Sequence, residues 1–327
     1  MTTYSTWNIF SNKKKDIPMF KKLNFILIIS YFLVVSIHTL ADSKDTPLLF
    51  IPGGPGFGAN PEKNMLFPFL QSLGYAPMAF TPPHPFNQNT AEHFPAFRPY
   101  QIYLEKLTDT FARLAMEFPH KKWVICGHSF AVHPIIFLAK KFPSKIKKII
   151  LISPGLDLES ADKRILNLAY QGFMTKGQWA LARNDLATAR IEFDKADKLK
   201  NYLDHLLPGF GQDKIAAYTL ASEYQELFSH YWVNPNTMLE YFSFLTGEHA
   251  FDPNAFMLLR KDLAENPITL TLKPINIKTE VFFGQDDPVI GFENEIHFLK
   301  NKFRRTSIRI VPNSKHYSHI ENKEIFQ

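Results

Sequence analysis

The stretch from Trp123 to Phe142 constrains this chain more than any other. Trp123-Val-Ile-Cys126 is an apolar run that predicts a short buried strand, and Gly127-His-Ser-Phe-Ala131 predicts a sharp turn. From Val132 onward apolar residues recur at helical spacing. The result is strand, tight turn and helix, with Ser129 at the apex. Small residues two before and two after the apex let the backbone fold back while the hydroxyl stays exposed above the sheet edge. Gly127 fills the first place. Ala131 fills the second, so one methyl must fit where glycine is usual.

The same alternation runs through much of the chain. Pro47–Ile51 reads as a buried strand feeding the loop Pro52-Gly-Gly-Pro-Gly56, and Pro61–Leu73 as a helix closed by Gly74. Tyr75–Phe80 is a weaker strand because of Pro77, and residues 81–99, with five prolines, read as a long irregular loop. Leu104, Leu107, Phe111, Leu114 and Phe118 lie on one helical face. Lys145–Ser153 is a further strand. Residues 156–270 change texture: stretches such as Ala180–Leu206 and Ala216–Tyr231 have helical spacing and strand-like runs are absent. Strand patterning returns at Thr279–Phe283 and Ser307–Val311, with a helix at Glu293–Phe303 between them. This order predicts an α/β fold, a doubly wound, mostly parallel sheet with a helical lid inserted at 156–270. The sheet-bearing core is then 42–155 together with 271–327.

The N-terminus reads as a targeting segment. Lys21-Lys22 precede the apolar run Phe25–Ile37, and Thr39-Leu-Ala41 offers small residues before a cleavage point. The run is short for a membrane span, so residues 1–41 are expected to be a signal peptide, with an uncleaved anchor as the alternative. Export to the periplasm or outside the cell follows, with membrane contact only through an uncleaved segment. The formal charge of +6 is mostly a property of this leader, since residues 42–327 carry 32 Lys+Arg against 30 Asp+Glu. No nucleic-acid partner is expected from so balanced a chain. The single cysteine, Cys126, permits no internal disulfide and reads as a core residue. The histidines show no metal-site spacing, and no metal or other cofactor is expected.

In a parallel sheet, ligands sit outside the carboxyl ends of the strands. Ser129 lies at such an end. The strand ending at Phe283 runs into Gly-Gln-Asp286-Asp287-Pro, and that ending at Val311 into Pro-Asn-Ser-Lys-His316-Tyr-Ser-His319-Ile-Glu321. A serine hydroxyl becomes a useful nucleophile when a base takes its proton and an acid orients that base. The chain offers serine, aspartate and histidine in that order, each at a strand end. Two aspartates and two histidines are open for the last two roles. The amide of Phe130, just after the serine, is placed to hold a developing oxyanion.

These motifs resemble the α/β-hydrolase fold, and Pro52–Gly56 resembles the His-Gly-Gly-Pro-Gly loop of the proline iminopeptidase group of serine peptidases. The resemblance covers most of 47–325. It implies Asp287 rather than Asp286 as the acid, from Gly284-x-x-Asp287, and His316 rather than His319 as the base. It also implies Gly54 as the second oxyanion donor. Its expected substrate is a small molecule or short peptide bearing an ester or amide bond.

Four departures bear on specificity. Pro52 stands where the family has histidine. Phe80-Thr-Pro-Pro-His-Pro-Phe-Asn87 replaces an Asp-x-Arg-Gly-x-Gly-x-Ser string. The glycine loop follows so soon after residue 41 that the usual leading antiparallel strands have no room, which predicts a shortened sheet of six parallel strands. Phe228 occupies the place of a lid carboxylate that binds the substrate's free amine, with Glu223 and Glu226 out of register. A carboxylesterase is therefore weighed equally with an aminopeptidase, and a noncatalytic ligand-binding member of the fold is the alternative from another class.

Overall fold

The computed structural model describes residues 45–83, 98–205, 211–246, 251–266 and 273–327. The expected leader and most of the 81–99 loop lie outside them. Six strands form one parallel sheet: β1 Thr46–Ile51, β2 Tyr75–Ala79, β3 Trp123–His128, β4 Ile146–Ile152, β5 Ile275–Gly284 and β6 Phe303–Val311, in the order β2-β1-β3-β4-β5-β6. This is the short parallel sheet expected from the sequence. Central strands are buried on both faces, which is why β1 and β3 are nearly continuous apolar runs rather than alternating ones. β2 carries Pro77, which has no N–H for a ladder, and an edge strand is where that is tolerated. β6 closes the other edge and exposes Arg304, Arg305 and Arg309, charges that discourage pairing with another sheet.

From β1 the chain moves outward to β2, then returns to lay β3 on the other side of β1. The direction of winding reverses there, so the loops leaving β1 and β3 diverge and open a crevice at the carboxyl end of the sheet. Helices α1 Asn60–Met65, α2 Phe67–Ser72, α3 Pro99–Glu117 and α4 Val132–Lys141 fill the connections. Between β4 and β5 come α5 Leu158–Ala182, α6 Leu186–Asp204, α7 Gln212–Ser222, a 3₁₀ turn at Leu227–Tyr231, α8 Pro235–Ser243 and α9 Pro253–Glu265. Helix α10, Phe292–Lys302, joins β5 to β6, and α11, Ser318–Glu321, follows β6.

Local breaks correct several of the expected elements. Pro61–Leu73 is two helices, because Pro68 has no N–H to continue the ladder, and the chain resets at Leu66. Helix α3 begins at Pro99, whose fixed φ suits a first turn, so the irregular stretch ends earlier than expected. The Ala180–Leu206 stretch is interrupted at Arg183–Asp185: Asn184 takes φ 62°, and Asp185 starts α6 by accepting the N–H of Thr188 (3.1 Å). Helix α7 ends at Ser222 instead of running to Tyr231, because Tyr224 and Leu227 turn inward to the insertion's own core with Leu166, Phe173, Leu199 and Ala217.

The insertion is tied down at both ends by buried carboxylates. Asp262 of α9 accepts from Arg98 Nε (2.5 Å) and Tyr100 N (2.9 Å) at the start of α3. Glu295 of α10 accepts the N–H of Leu156 (2.9 Å) and Asp157 (2.7 Å), just before α5. Burial pushes the Glu295 carboxyl up to about 7, against the opposite pull of those two donors. A folded-state pKa above the unfolded one means that the folded chain holds the extra proton. This contribution is therefore full below the ordinary carboxyl range and is lost as pH rises through about 7. Urea unfolding of the native protein and of Glu295→Gln should show it. From pH 5 to pH 8 the native chain should lose on the order of 3 kcal/mol relative to the variant. A stability difference that does not change with pH contradicts the assignment.

Candidate active site

The turn after β3 places Ser129 at φ 52°, a left-handed conformation that is costly for a side-chain-bearing residue. A 3₁₀ turn over Ser129–Ala131 leads straight into α4, and Gly155 N donates to the Ser129 carbonyl (3.3 Å). Gly127 is obligatory here. A Cβ on it would lie 2.7 Å from Ala131 Cβ and 2.6 Å from Ile135 Cδ1. The methyl of Ala131 therefore fits because position 127 has none. Phe130 is buried, its ring held edge-on by Tyr100 and Tyr103, which fixes the backbone that carries its amide.

The loops after β5 and β6 touch backbone to backbone. A Cβ on Gly284 would lie 2.0 Å from the Lys315 carbonyl oxygen, so only glycine permits this approach. The contact brings Asp287 and His316 together: His316 Nδ1–H donates to Asp287 Oδ2 at 2.9 Å, with both residues buried. The other oxygen, Oδ1, accepts the amides of Val289 (2.9 Å) and Ile290 (3.0 Å). Burial opposes ionisation of Asp287, but His316 and the two amides outweigh it and hold the carboxyl below its usual range. Asp286, by contrast, is exposed, and its amide donates to the Ser314 carbonyl (3.1 Å).

Backbone contacts hold His316 from two sides. His128 Nε2–H donates to the His316 carbonyl (2.9 Å), and the His316 amide donates to the Tyr231 carbonyl (3.2 Å). Burial, reinforced by His316 and His319, keeps His128 well below the ordinary imidazole range, so its ring is neutral. His319 is fully buried behind this group, stacked on Tyr317, with Nε2 3.6 Å from Glu62 Oε1, too long for a hydrogen bond. Glu62 Oε1 instead accepts from Tyr241 OH (2.9 Å). Cys126 is buried, and burial pushes its thiol up, as suits a core residue.

A cavity of about 460 Å³ adjoins Ser129 and is lined also by Gly54, Phe130 and His316. Its walls are largely apolar, with Phe57, Phe228, Phe251, Phe256, Leu158 and Ile290 prominent. No aspartate or glutamate is among the described lining residues. Glu223 and Glu226 instead pair with Lys195 (3.0 Å) and Lys176 (2.6 Å) on the insertion. The buried pair Arg260–Asp162, with the Arg260 side chain on the cavity wall, was not foreseen from the sequence. Neither were Glu62, Glu295 and Tyr231. Single polar residues scattered over several helices leave no periodic signal, and a main-chain acceptor such as the Tyr231 carbonyl leaves none at all. Among the described residues, no group of three or more histidine, cysteine or acidic side chains is placed to hold a metal ion.

No protein-family profile matches the chain, and no curated protein sequence matches it. Solved structures do. The 2-hydroxy-6-oxo-6-phenylhexa-2,4-dienoate hydrolase of Rhodococcus sp. strain RHA1 superimposes with a TM-score of 0.51 at 13% identity, over 87% of this chain and 89% of that one. VinJ gives 0.50 at 14% identity, over 87% and 88%, and Cfl2 of Burkholderia cenocepacia gives 0.50 at 12%, over 87% and 86%. With the doubly wound parallel sheet, the serine turn after β3 and the insertion after β4, these likenesses establish that the chain has the α/β-hydrolase fold.

Proposed function

We propose that this chain is an exported serine hydrolase that cleaves esters, and amides without a free α-amine, through an acyl-enzyme on Ser129. The observation that carries this reading is the 2.9 Å His316–Asp287 hydrogen bond together with a serine held at φ 52°, Ser129 and His316 both lining the same cavity. Ser129 Oγ attacks the substrate carbonyl carbon while His316 Nε2 takes the hydroxyl proton. Asp287 keeps the proton on Nδ1 and stabilises the imidazolium. The oxyanion is held by the Phe130 and Gly54 amides, each worth about 3 kcal/mol of barrier. Collapse breaks the ester or amide bond, and the leaving group departs with the proton from His316. Water then attacks the acyl-enzyme with the same base and the same oxyanion donors, and the acid is released. The helical insertion acts as the lid that closes the apolar acyl pocket.

The pocket wall favours an esterase over an aminopeptidase. An ammonium group brought into an apolar cavity needs a carboxylate partner. Phe228 lines the cavity, and Glu223 and Glu226 are already paired elsewhere. The mature protein should therefore cleave butyryl-naphthylamide at least about tenfold faster, by kcat/KM, than prolyl-naphthylamide, a difference of about 1.4 kcal/mol in barrier, and should hydrolyse nitrophenyl butyrate readily. A preference for the prolyl substrate would replace this reading with an aminopeptidase. No turnover of any of the three, with no labelling by a fluorophosphonate, would favour a binding protein.

A further inference from the structure

The segment 227–234 does two things at once. At its start, Leu227 is packed in the insertion's own core and Phe228 lines the cavity. At its end, Tyr231 and Trp232 belong to the main core around the sheet. In a few residues the chain crosses from one core to the other beside the candidate active site.

Several contacts fasten this segment to the loop that carries His316. The Tyr231 carbonyl accepts the His316 amide (3.2 Å), and the Tyr231 and His316 rings meet edge to face at 5.7 Å. Trp232 stacks flat on Tyr317, with centroids 4.2 Å apart and planes 8° apart. Glu321, on α11, spans both sides. Its Oε1 accepts the amides of Val233 (2.6 Å) and Asn234 (3.0 Å), and its Oε2 faces the Lys315 amide (3.5 Å). A carboxylate that accepts backbone amides is among the stronger hydrogen-bonding groups, and here it joins two segments far apart in sequence.

We infer that Glu321 is a positioning residue that locks the strap 227–234 to the His316 loop, so that the acyl group pressed against Phe228 governs where His316 sits. This rests on the serine-hydrolase reading above. Proton transfer needs His316 within hydrogen-bond reach of Ser129, and displacements near 1 Å can cost a hundredfold in rate. With the strap locked, filling the pocket at Phe228 bears on His316 through the Tyr231 carbonyl. The length of the acyl chain is then read in kcat as well as in KM.

The test uses the mature protein with nitrophenyl acetate, butyrate and octanoate, and active sites counted by fluorophosphonate titration. Glu321→Ala should lower kcat per active site ten- to a hundredfold, leave KM within threefold, and flatten the dependence of kcat on chain length to within twofold. Glu321→Gln keeps an amide oxygen for the strap and should retain kcat within about fivefold. Should the alanine variant fail to fold, Val233→Pro removes one strap amide at an exposed position. The residue before it is already extended (φ −125°, ψ 143°), as proline requires. It should flatten the chain-length dependence in the same way. Folded variants that keep kcat within twofold and keep its chain-length dependence overturn the inference. Ser129→Ala in the same assays separates the two claims. If it retains turnover, the serine-hydrolase reading falls and this inference with it. If it is dead while Glu321→Ala behaves as the native protein, only the coupling is wrong.

Discussion

Ser129→Ala is expected to lower kcat for nitrophenyl butyrate by roughly a million-fold and to abolish labelling by a fluorophosphonate. The size follows from what is lost. Without Oγ there is no covalent intermediate, and only the oxyanion amides and pocket binding remain to help water attack directly. The variant should still fold. Ser129 is half-buried and already bears a Cβ at φ 52°, so alanine meets the same backbone strain as serine and stability should change by less than about 1 kcal/mol. A thermal melt beside the activity assay checks this. Turnover above about a thousandth of the native rate, in protein free of native contamination, would mean that another group is the nucleophile.

Asp287→Asn should cost about ten-thousand-fold in kcat with little change in KM. The geometry says why. Asp287 Oδ1 accepts two backbone amides and Oδ2 accepts from His316 Nδ1. An asparagine at this place turns its carbonyl oxygen towards the two amides, because the reverse sets an NH₂ group against two N–H donors. Its NH₂ then faces His316 Nδ1, which must become an acceptor. The ring proton moves to Nε2, the atom that has to take the proton from Ser129. Fluorophosphonate labelling should slow in parallel with kcat, since both need the serine activated. An unimpaired variant would make Asp287 a turn residue only, which caps Val289 and Ile290 without acting on His316.

The serine was legible from its neighbours alone, because a buried strand, a turn of small residues and a helix leave local marks: continuous apolar residues, Gly127 and Ala131, then helical spacing. Asp287 and His316 were legible only as residue types at strand ends. Sequence patterning left Asp286 and His319 open beside them, and the fold gives the four residues different surroundings, with only His316 and Asp287 hydrogen-bonded to each other. Asp286 is exposed, while His319 is stacked behind the site against Tyr317.

Helix breaks were harder to read than helices. Pro68 should have been decisive, since it lacks the N–H an unbroken helix needs, yet the apolar spacing of Pro61–Leu73 continues across it. The turn at Asn184 and the end of α7 at Ser222 carry no such marker. They arise because side chains on either side find partners in a core that periodicity does not describe.

By itself, the sequence determined the kind of fold, the six-stranded parallel sheet, the helical insertion and the turn that carries Ser129. All of these follow from spacing along the chain, since hydrophobic period and turn chemistry act over a few residues. Only the tertiary structure decided what surrounds that serine. Glu295 and Asp262 anchor the insertion, the Tyr231 carbonyl and Glu321 grip the His316 loop, and Phe228 lines the cavity beside Ser129. Each of these joins residues distant in sequence. Their energy lies in burial and in hydrogen bonds made only once the sheet has brought the loops together, and no local pattern records that.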